Sequence, residues 1–274
     1  MSFHATRRWL FVGVASQHRV DAYTTDGSLV SSFGGYGAQD GQFKLPMGVA
    51  VDSELDLVFV TDCYNHRVQT FRSDGTFVRK WGSGLSPDGL FAAPVGIAVD
   101  STTHLVYVAD LGRSRVEVFS ARTGGFVRSF GGDREGSGKN DLTSPFDVAV
   151  LPAEQLAFVS DRLNNRVSVY RTTDGVFVRS FTKPDLEVPN INWRPSGLTA
   201  VPPDRVYVVS DSARSLSLFL SDGSYQRDVP CRDYQPLGLA ADPQSDELYV
   251  AERDQLNFDK DQMMPSRVSV YVDW

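Results

Sequence analysis

An internal repeat constrains the fold of this chain more than any other feature of its sequence. Five segments begin with proline followed by small and β-branched residues: Pro46-Met-Gly-Val-Ala-Val-Asp52, Pro94-Val-Gly-Ile-Ala-Val-Asp100, Pro145-Phe-Asp-Val-Ala-Val150, Pro195-Ser-Gly-Leu-Thr-Ala200 and Pro236-Leu-Gly-Leu-Ala-Ala-Asp242. They recur every 48 to 51 residues, and the last step is 41 residues. A period of this length indicates an architecture built from repeated supersecondary units.

Each unit contains four short runs in which apolar and polar residues alternate. The second run ends in an acid, as at Asp62, and the third begins with arginine, as in Arg67-Val-Gln-Thr-Phe71. Pairs such as Asp74-Gly75 separate the third run from the fourth. This alternation and the Asp-Gly turns predict antiparallel strands, and no segment has the apolar period of a helix. Because so small a sheet cannot bury both faces alone, the sequence predicts an all-β propeller with sheets packed around an axis.

The N-terminal residues fit the same repeat. A shift of 48 places Ser16-Gln-His-Arg-Val20 on Tyr64-Asn-His-Arg-Val68, which makes Leu10 to Val14 a second strand. Arg7-Arg8 followed by Trp9 to Ala15 also resembles a short secretion signal, but its apolar stretch of about seven residues is at the lower limit for one. We therefore expect a strand here.

Six second strands predict six blades of four-stranded antiparallel sheet in one domain, residues 1–274. The first unit lacks a recognisable innermost strand, and the last ends at Trp274 after its third strand. Either blade could therefore be incomplete, and Met1 to Arg8 could supply one of the missing strands. A seam left open would expose strand edges and allow an oligomer to form through them.

The consensus of these units resembles the NHL repeat. It runs from Pro-x-Gly-Val-Ala-Val-Asp through Val-Phe-Val-Thr-Asp62 and Asn65-His66-Arg67-Val68 to an Asp-Gly turn and a Phe-Val-Arg-Lys-Trp-Gly ending. The resemblance covers nearly the whole chain and is strongest in the units that begin at Pro46, Pro94 and Pro145. It implies a six-bladed propeller. It does not imply one function, because NHL propellers include RNA-binding and protein-binding modules, extracellular sensor domains and a metal-dependent lyase.

The longest loops are predicted to open on one face of the propeller. They are the links between blades and one insertion in the last unit: Gly35 to Leu45, Ser83 to Ala93, Gly132 to Ser144, Thr182 to Arg194 and Arg253 to Ser266. Long loops on a rigid scaffold concentrate binding residues. We therefore expect the contacts of a partner on this face to come from exposed aromatic and methionine residues: Tyr36, Tyr64, Trp193, Tyr234, Phe258, Met263 and Met264. For Tyr36 and Trp193, packing between blades is an equal alternative, and Phe43 and Phe91 are expected to be buried.

Arginine recurs at one position of the repeat. The clearest cases are Arg67, Arg115 and Arg166, and Arg19 and Arg267 hold the same position in the first and last units. The three clearest cases each follow an acid by five residues. One interpretation is a ring of arginines at the channel mouth that binds phosphate or a carboxylate. The other, which we favour because acid and arginine recur together, is a structural ion pair across the turn.

The net charge and the cysteine content indicate which partners and which compartment are favoured. A formal charge of −7 disfavours nucleic acid and anionic membranes. Cys63 and Cys231 provide no disulfide framework, which favours a reducing, cytoplasmic location. The sequence therefore predicts a binding platform without catalysis for a protein or peptide, with no catalytic residue, metal or cofactor. A single-stranded RNA-binding module is the alternative.

A metal-dependent hydrolase of lactonase type is a further alternative. Such enzymes project acids and amides into the channel, but the inner strands here begin with glycines and one acid: Gly48, Gly96, Asp147, Gly197 and Gly238. The four histidines are too scattered for a convincing zinc site. An enzyme is therefore less favoured but not excluded.

Overall fold

The computed structural model describes residues 1–82, 91–132, 135–184, 193–210, 212–229, 234–242, 245, 247–254 and 267–272. Strands dominate these residues and form six antiparallel sheets in chain order. The predicted all-β, six-bladed propeller is confirmed. Short 3-10 turns join some of the strands, at Ala15–Gln17, Cys63–Asn65, Leu111–Arg113, Pro152–Glu154 and Arg162–Asn164.

Each sheet is one blade, and its strands follow one another from the axis outward. Blade 1 contains β1 (Ser2–His4), β2 (Trp9–Val14), β3 (Arg19–Thr24) and β4 (Leu29–Gly34). Blade 2 contains β5 (Pro46–Asp52), β6 (Leu57–Asp62), β7 (Arg67–Arg72) and β8 (Phe77–Trp81). Blade 3 contains β9 (Pro94–Asp100), β10 (Leu105–Asp110), β11 (Arg115–Ser120) and β12 (Phe126–Phe130).

The second half of the chain repeats this order. Blade 4 contains β13 (Pro145–Leu151), β14 (Leu156–Asp161), β15 (Arg166–Arg171) and β16 (Phe177–Phe181). Blade 5 contains β17 (Pro195–Val201), β18 (Arg205–Ser210), β19 (Ser215–Leu220) and β20 (Tyr225–Val229). Blade 6 is shorter, with β21 (Tyr234–Ala241), β22 (Glu247–Asp254) and β23 (Arg267–Val272).

The core lies between blades, because each sheet presents apolar side chains on both faces. Between blades 2 and 3, for example, Phe59, Val106 and Phe119 belong to one buried cluster. The turn glycine of each Asp-Gly pair has a positive φ, such as 90° at Gly75, which other residues adopt only with strain. The repeat pattern therefore encodes both the apolar faces and the tight turns.

The ring closes by packing of blade 1 against blade 6. Met1 to Arg8 supply β1, so blade 1 has its innermost strand, and no blade combines strands from the two ends of the described chain. The Phe3 ring stacks on Tyr249 at 5.6 Å, and both belong to an apolar cluster that spans the two blades. Arg8 Nη1 lies 2.7 Å from Oδ2 of the buried Asp242. Side-chain contacts thus hold the innermost part of the seam.

Candidate binding face

The links between blades are fastened to the face on which the long loops lie, called here the long-loop face. In blades 2, 3 and 4, the acid that ends the second strand accepts backbone N–H groups from the link before it. Asp62 Oδ1 accepts from the N–H of Lys44 at 2.7 Å, and Asp161 Oδ1 accepts from Thr143 at 2.7 Å. In blade 3, Asp110 accepts from two successive link residues at 2.8 Å each. These buried acids therefore fix the loops to the scaffold.

Arg67 completes this attachment in blade 2. Its Nε donates to Asp62 Oδ2 at 2.7 Å, and its terminal nitrogens donate to the carbonyls of Ala38, Gln39 and Gln42 at 2.8 to 3.0 Å. The side chain is buried, and its donors are used within the protein. The structural ion pair is thus formed at Arg67.

Arg166 occupies the same place in blade 4. Its Nε lies 2.7 Å from Asp161 Oδ2, and its Nη2 donates to the carbonyls of Gly138 and Asp141 at 2.8 Å. The two clamps therefore hold the links into blades 2 and 4 in the same way.

The pair expected between Asp110 and Arg115 is not formed. Arg115 instead donates from Nε and Nη2 to Glu117 Oε1, at 3.0 and 2.7 Å. Burial raises the pKa of Glu117, and Arg115 opposes that shift. Arg19 makes the same local pair with Asp21. The reason is that an acid two residues after the arginine competes with the acid across the turn, and blades 2 and 4 have no acid there.

Two of the predicted contact residues are strongly exposed on the long-loop face. The exposed fraction is 69% for Tyr36 and 67% for Tyr64. Lys44 joins them, because its carbonyl accepts from the N–H of Tyr64 at 3.1 Å and its Nζ lies 5.9 Å from the centre of the Tyr36 ring. The His18 ring also lies next to Tyr36, at 5.0 Å between ring centres. We call these four residues the tyrosine patch.

The backbone beneath the tyrosine patch is well ordered by hydrogen bonds. The N–H of Leu45 donates to His18 Nδ1 at 3.1 Å. Phe43 donates to the Gly35 carbonyl at 2.8 Å and accepts from Gly37 at 3.0 Å. Burial raises the pKa of the Cys63 thiol, just before Tyr64, to about 11, so this cysteine stays neutral. The patch is thus displayed on a fixed loop.

Trp193 is only 1% exposed and packs inside the molecule. Its ring lies 5.6 Å from Phe219, as Phe43 lies 5.5 Å from Phe71 and Phe91 lies 5.3 Å from Phe119. Trp193 therefore has the same structural role as the phenylalanines that precede the earlier inner strands. Both phenylalanines are buried, as expected.

The remaining predicted contacts stay predictions. Tyr234 begins β21, but its side chain is outside the described part of the structure, and Phe258, Met263 and Met264 lie outside the described residues altogether. Lys44 and His18 of the tyrosine patch were not predicted from the sequence. Leu163 was not predicted either, although it is 49% exposed at the position in blade 4 that Tyr64 holds in blade 2. Alignment of the repeat could have found Leu163.

The inner strands line a cavity of about 110 Å³ at the axis. Its wall includes the glycines expected from the sequence and one carboxylate: Gly48, Gly96, Asp147, Gly197 and Gly238. Asp147 accepts N–H groups from Val148 and from Leu198 of the next blade, both at 2.9 Å. Burial raises the pKa of Asp147 to about 6, although those donors oppose the shift. A polar ligand in the channel would therefore meet one carboxyl group that titrates near neutrality.

Six antiparallel blades around this cavity, with links fastened on one face, define a β-propeller built from tandem repeats. The NHL repeat family model matches residues 43–71 and 91–119, the parts of blades 2 and 3 from the buried phenylalanine to the third strand. The chain therefore contains at least two NHL repeats within a six-bladed β-propeller. Among curated proteins, no sequence matches this chain.

Similar solved structures share the fold. The crystal structure of a nidogen/laminin complex is similar at a TM-score of 0.69 and 15% identity, covering 87% of this chain and 82% of that chain. The structure of a streptogramin B lyase is similar at a TM-score of 0.68 and 13% identity, and the match covers 100% of this chain and 82% of that chain. The hydrazine synthase of Kuenenia stuttgartiensis is similar at a TM-score of 0.65 and 14% identity, and the match covers 99% of this chain and 95% of that chain. At these identities the similarity shows the fold alone.

No three His, Cys, Asp or Glu side chains among the described residues are grouped so that they could hold a metal ion. No helix in that part of the chain is long and apolar enough to cross a membrane.

Proposed function

We propose that this propeller is a protein-binding platform that contacts its partner through the tyrosine patch. The observation that carries the proposal is the exposure of two tyrosines, Tyr36 on the fastened link and Tyr64 on the turn beside it, both of which contact Lys44. Tyrosine supplies a large apolar ring with a polar tip and loses little conformational freedom on binding, so it is favoured at protein interfaces. A loop that is already ordered also reduces the entropy cost of association.

Charge favours a protein over RNA. Arg67, Arg115 and Arg166, which could have formed a basic ring, are paired with acids instead. Lys44 is the one lysine or arginine of the tyrosine patch, whereas RNA binding requires a basic surface. The nidogen/laminin complex, a protein–protein assembly with this fold, supports the same choice by analogy.

The test compares the double variant Tyr36→Ala/Tyr64→Ala with the wild-type protein in affinity capture. The captured partner is then purified and its dissociation constant measured with both proteins. We expect at least a tenfold weaker constant, because removal of two interface tyrosines costs more than about 1.4 kcal/mol. Val178→Ala, at an exposed valine of β16 away from the patch, is the matched control and should bind as the wild type does.

Three results would contradict the proposal or favour another function. Equal binding by the double variant and the wild type would remove the patch from the interface. Saturable binding of single-stranded RNA that weakens steeply with salt would favour the RNA-binding alternative. A thermal shift with calcium or zinc that Asp147→Asn abolishes would favour the metal-dependent alternative.

A further inference from the structure

The outer side of blade 6 differs from that of every other blade. The other five blades have a fourth strand, whereas the described part of blade 6 ends with β23, whose outer edge is unpaired there. Val270 of β23 is 48% exposed, but Val118 and Val169, at the same repeat position, are fully buried. An unpaired edge beside an exposed apolar residue is able to pair with an added strand.

By analogy with the other junctions, the repeat places a recess of blade 1 beside this edge, and the described residues leave it uncovered. At the four junctions from blade 1 to blade 5, an aromatic residue near the end of one outer strand packs on the turn glycine of the next blade: Phe33 on Gly75, Trp81 on Gly124, Phe130 on Gly175 and Phe181 on Gly223. The corresponding glycine of blade 1 is Gly27. A side chain there would meet no atom of the described residues within 4 Å.

The same aromatic residue covers a third-strand ring of the next blade at those four junctions. The ring centres are 4.8 Å apart for Phe33 and Phe71, and 4.7 Å apart for Phe130 and Tyr170. The covered rings are at most 2% exposed. Tyr23, which holds this position in blade 1, is only half-buried. The recess therefore has room for one more aromatic ring.

An arginine of the outer strand also crosses three of these junctions. Arg79, Arg128 and Arg179 each donate from Nη2 to a carbonyl of the following turn, of Ala121, Thr172 and Ser221 respectively. Thr25 provides the corresponding carbonyl in blade 1. Its turn, Thr24-Thr-Asp-Gly-Ser28, contains one carboxylate and no basic residue, so its charge also suits an arginine.

We infer that the groove between β23 and the Thr24–Ser28 turn is a second binding site, which accepts an extended segment of another protein as the fourth strand of blade 6. The segment has the pattern aromatic-x-Arg-x-aromatic, as in Phe177-Val-Arg-Ser-Phe181 of blade 4. Its backbone pairs with β23, its arginine donates to the Thr25 carbonyl, and its last aromatic ring packs on Gly27 and Tyr23. Backbone pairing supplies affinity, and the side-chain positions supply specificity. This site is separate from the tyrosine patch.

The test uses a fluorescent peptide that copies residues 175–182, added to the intact protein while anisotropy is measured. We expect saturable binding, at least tenfold weaker when both phenylalanines of the peptide are alanine and also weaker when its arginine is alanine. The protein variant Val270→Glu should weaken binding at least tenfold. Val178→Glu, which changes an equally exposed valine of β16, should leave it unchanged.

Hydrogen exchange locates the bound peptide, and protection is expected in residues 23–28 and 267–272. The inference is overturned if the peptide shows no saturable binding up to about 1 mM, or if protection appears elsewhere. It is also overturned if the protein forms a dimer through β23 that the peptide does not displace, because a second copy would then be the occupant. If Val270→Glu does not fold, the peptide variants decide alone. Tyr36→Ala/Tyr64→Ala should bind this peptide normally, so failure here and failure of the tyrosine patch are distinguishable.

Discussion

Asp147 is a partly buried carboxylate in a cavity wall that is otherwise rich in glycine. At Gly96, an added side chain would clash with Asp147 itself, which shows how closely the inner strands approach one another. Two backbone N–H groups orient the carboxylate, but burial still favours its neutral form. The charge that Asp147 presents to the channel therefore depends on pH.

Asp147→Asn should remove a pH dependence of stability. The pKa of this residue is about 6 in the folded protein, above the ordinary aspartate value of 3.8. The unfolded chain therefore loses this proton first, and the free energy of unfolding falls as pH rises from about 4 to about 6. We expect the difference in the free energy of unfolding between wild type and variant to change by about 2 to 3 kcal/mol over that pH range, since one pKa unit corresponds to about 1.4 kcal/mol.

Urea unfolding of both proteins at several pH values measures this difference. The other carboxylates are common to the two proteins and cancel in the comparison, whereas the Met1 amino group, whose positive charge opposes the rise in the pKa of Asp147, belongs to the measured effect. A difference that stays constant between pH 4 and pH 7 would show that Asp147 is ionised throughout.

At the scale of elements, the links into blades 2, 3 and 4 are held by buried carboxylates as well as by their own packing. Arg67 and Asp62 are both buried, and together they fasten the segment from Ala38 to Lys44. This clamp orders the loop that carries Tyr36. A structural pair therefore supports the proposed binding surface without contacting the partner.

Arg67→Ala should destabilise the protein strongly and also disorder the link. Removing one partner of a buried ion pair leaves an uncompensated charge, so we expect a loss of about 3 kcal/mol or more in urea unfolding. Arg171→Ala, in an exposed pair with Asp174, is the control and should cost less than about 1 kcal/mol. Equal losses in the two variants would mean that the clamp contributes little.

The elements themselves could be predicted from the sequence, because strand alternation, Asp-Gly turns and the repeat all point to the same fold. The ion pairs of Arg67 and Arg166 followed from the spacing of acid and arginine. The pairing of Arg115 with Glu117 could not be predicted in this way, because the spacing does not reveal that Glu117 competes with Asp110 for the arginine. The burial of Trp193 could not be decided either, since a tryptophan in a link suits both packing and contact. The tyrosine patch required the fold of the link, which brings Tyr36, Lys44 and Tyr64 together.

At the scale of the whole molecule, the junction between blades 6 and 1 is unlike the other five. Those junctions include residues of a fourth strand, whereas in the described part of the chain this one depends on the cluster of Phe3, Leu10, Val12, Ala240 and Tyr249 and on Arg8. A ring that is joined by fewer contacts at one place opens there first. Hydrogen exchange should therefore be fastest, among the inner strands, at β1 and β21.

Phe3→Ala should weaken this junction specifically. Phe3 is 8% exposed and stacks on Tyr249, so its truncation leaves a cavity at the seam, and we expect a loss of about 3 kcal/mol in urea unfolding. Phe126→Ala, at a ring that is 41% exposed on the outer strand β12, is the control and should cost less than about 1 kcal/mol. Exchange of β1, β21 and β22 should accelerate in Phe3→Ala while β9 and β13 keep their protection. Uniform acceleration of all six blades would instead mean that the ring opens as one cooperative unit, with no weaker junction.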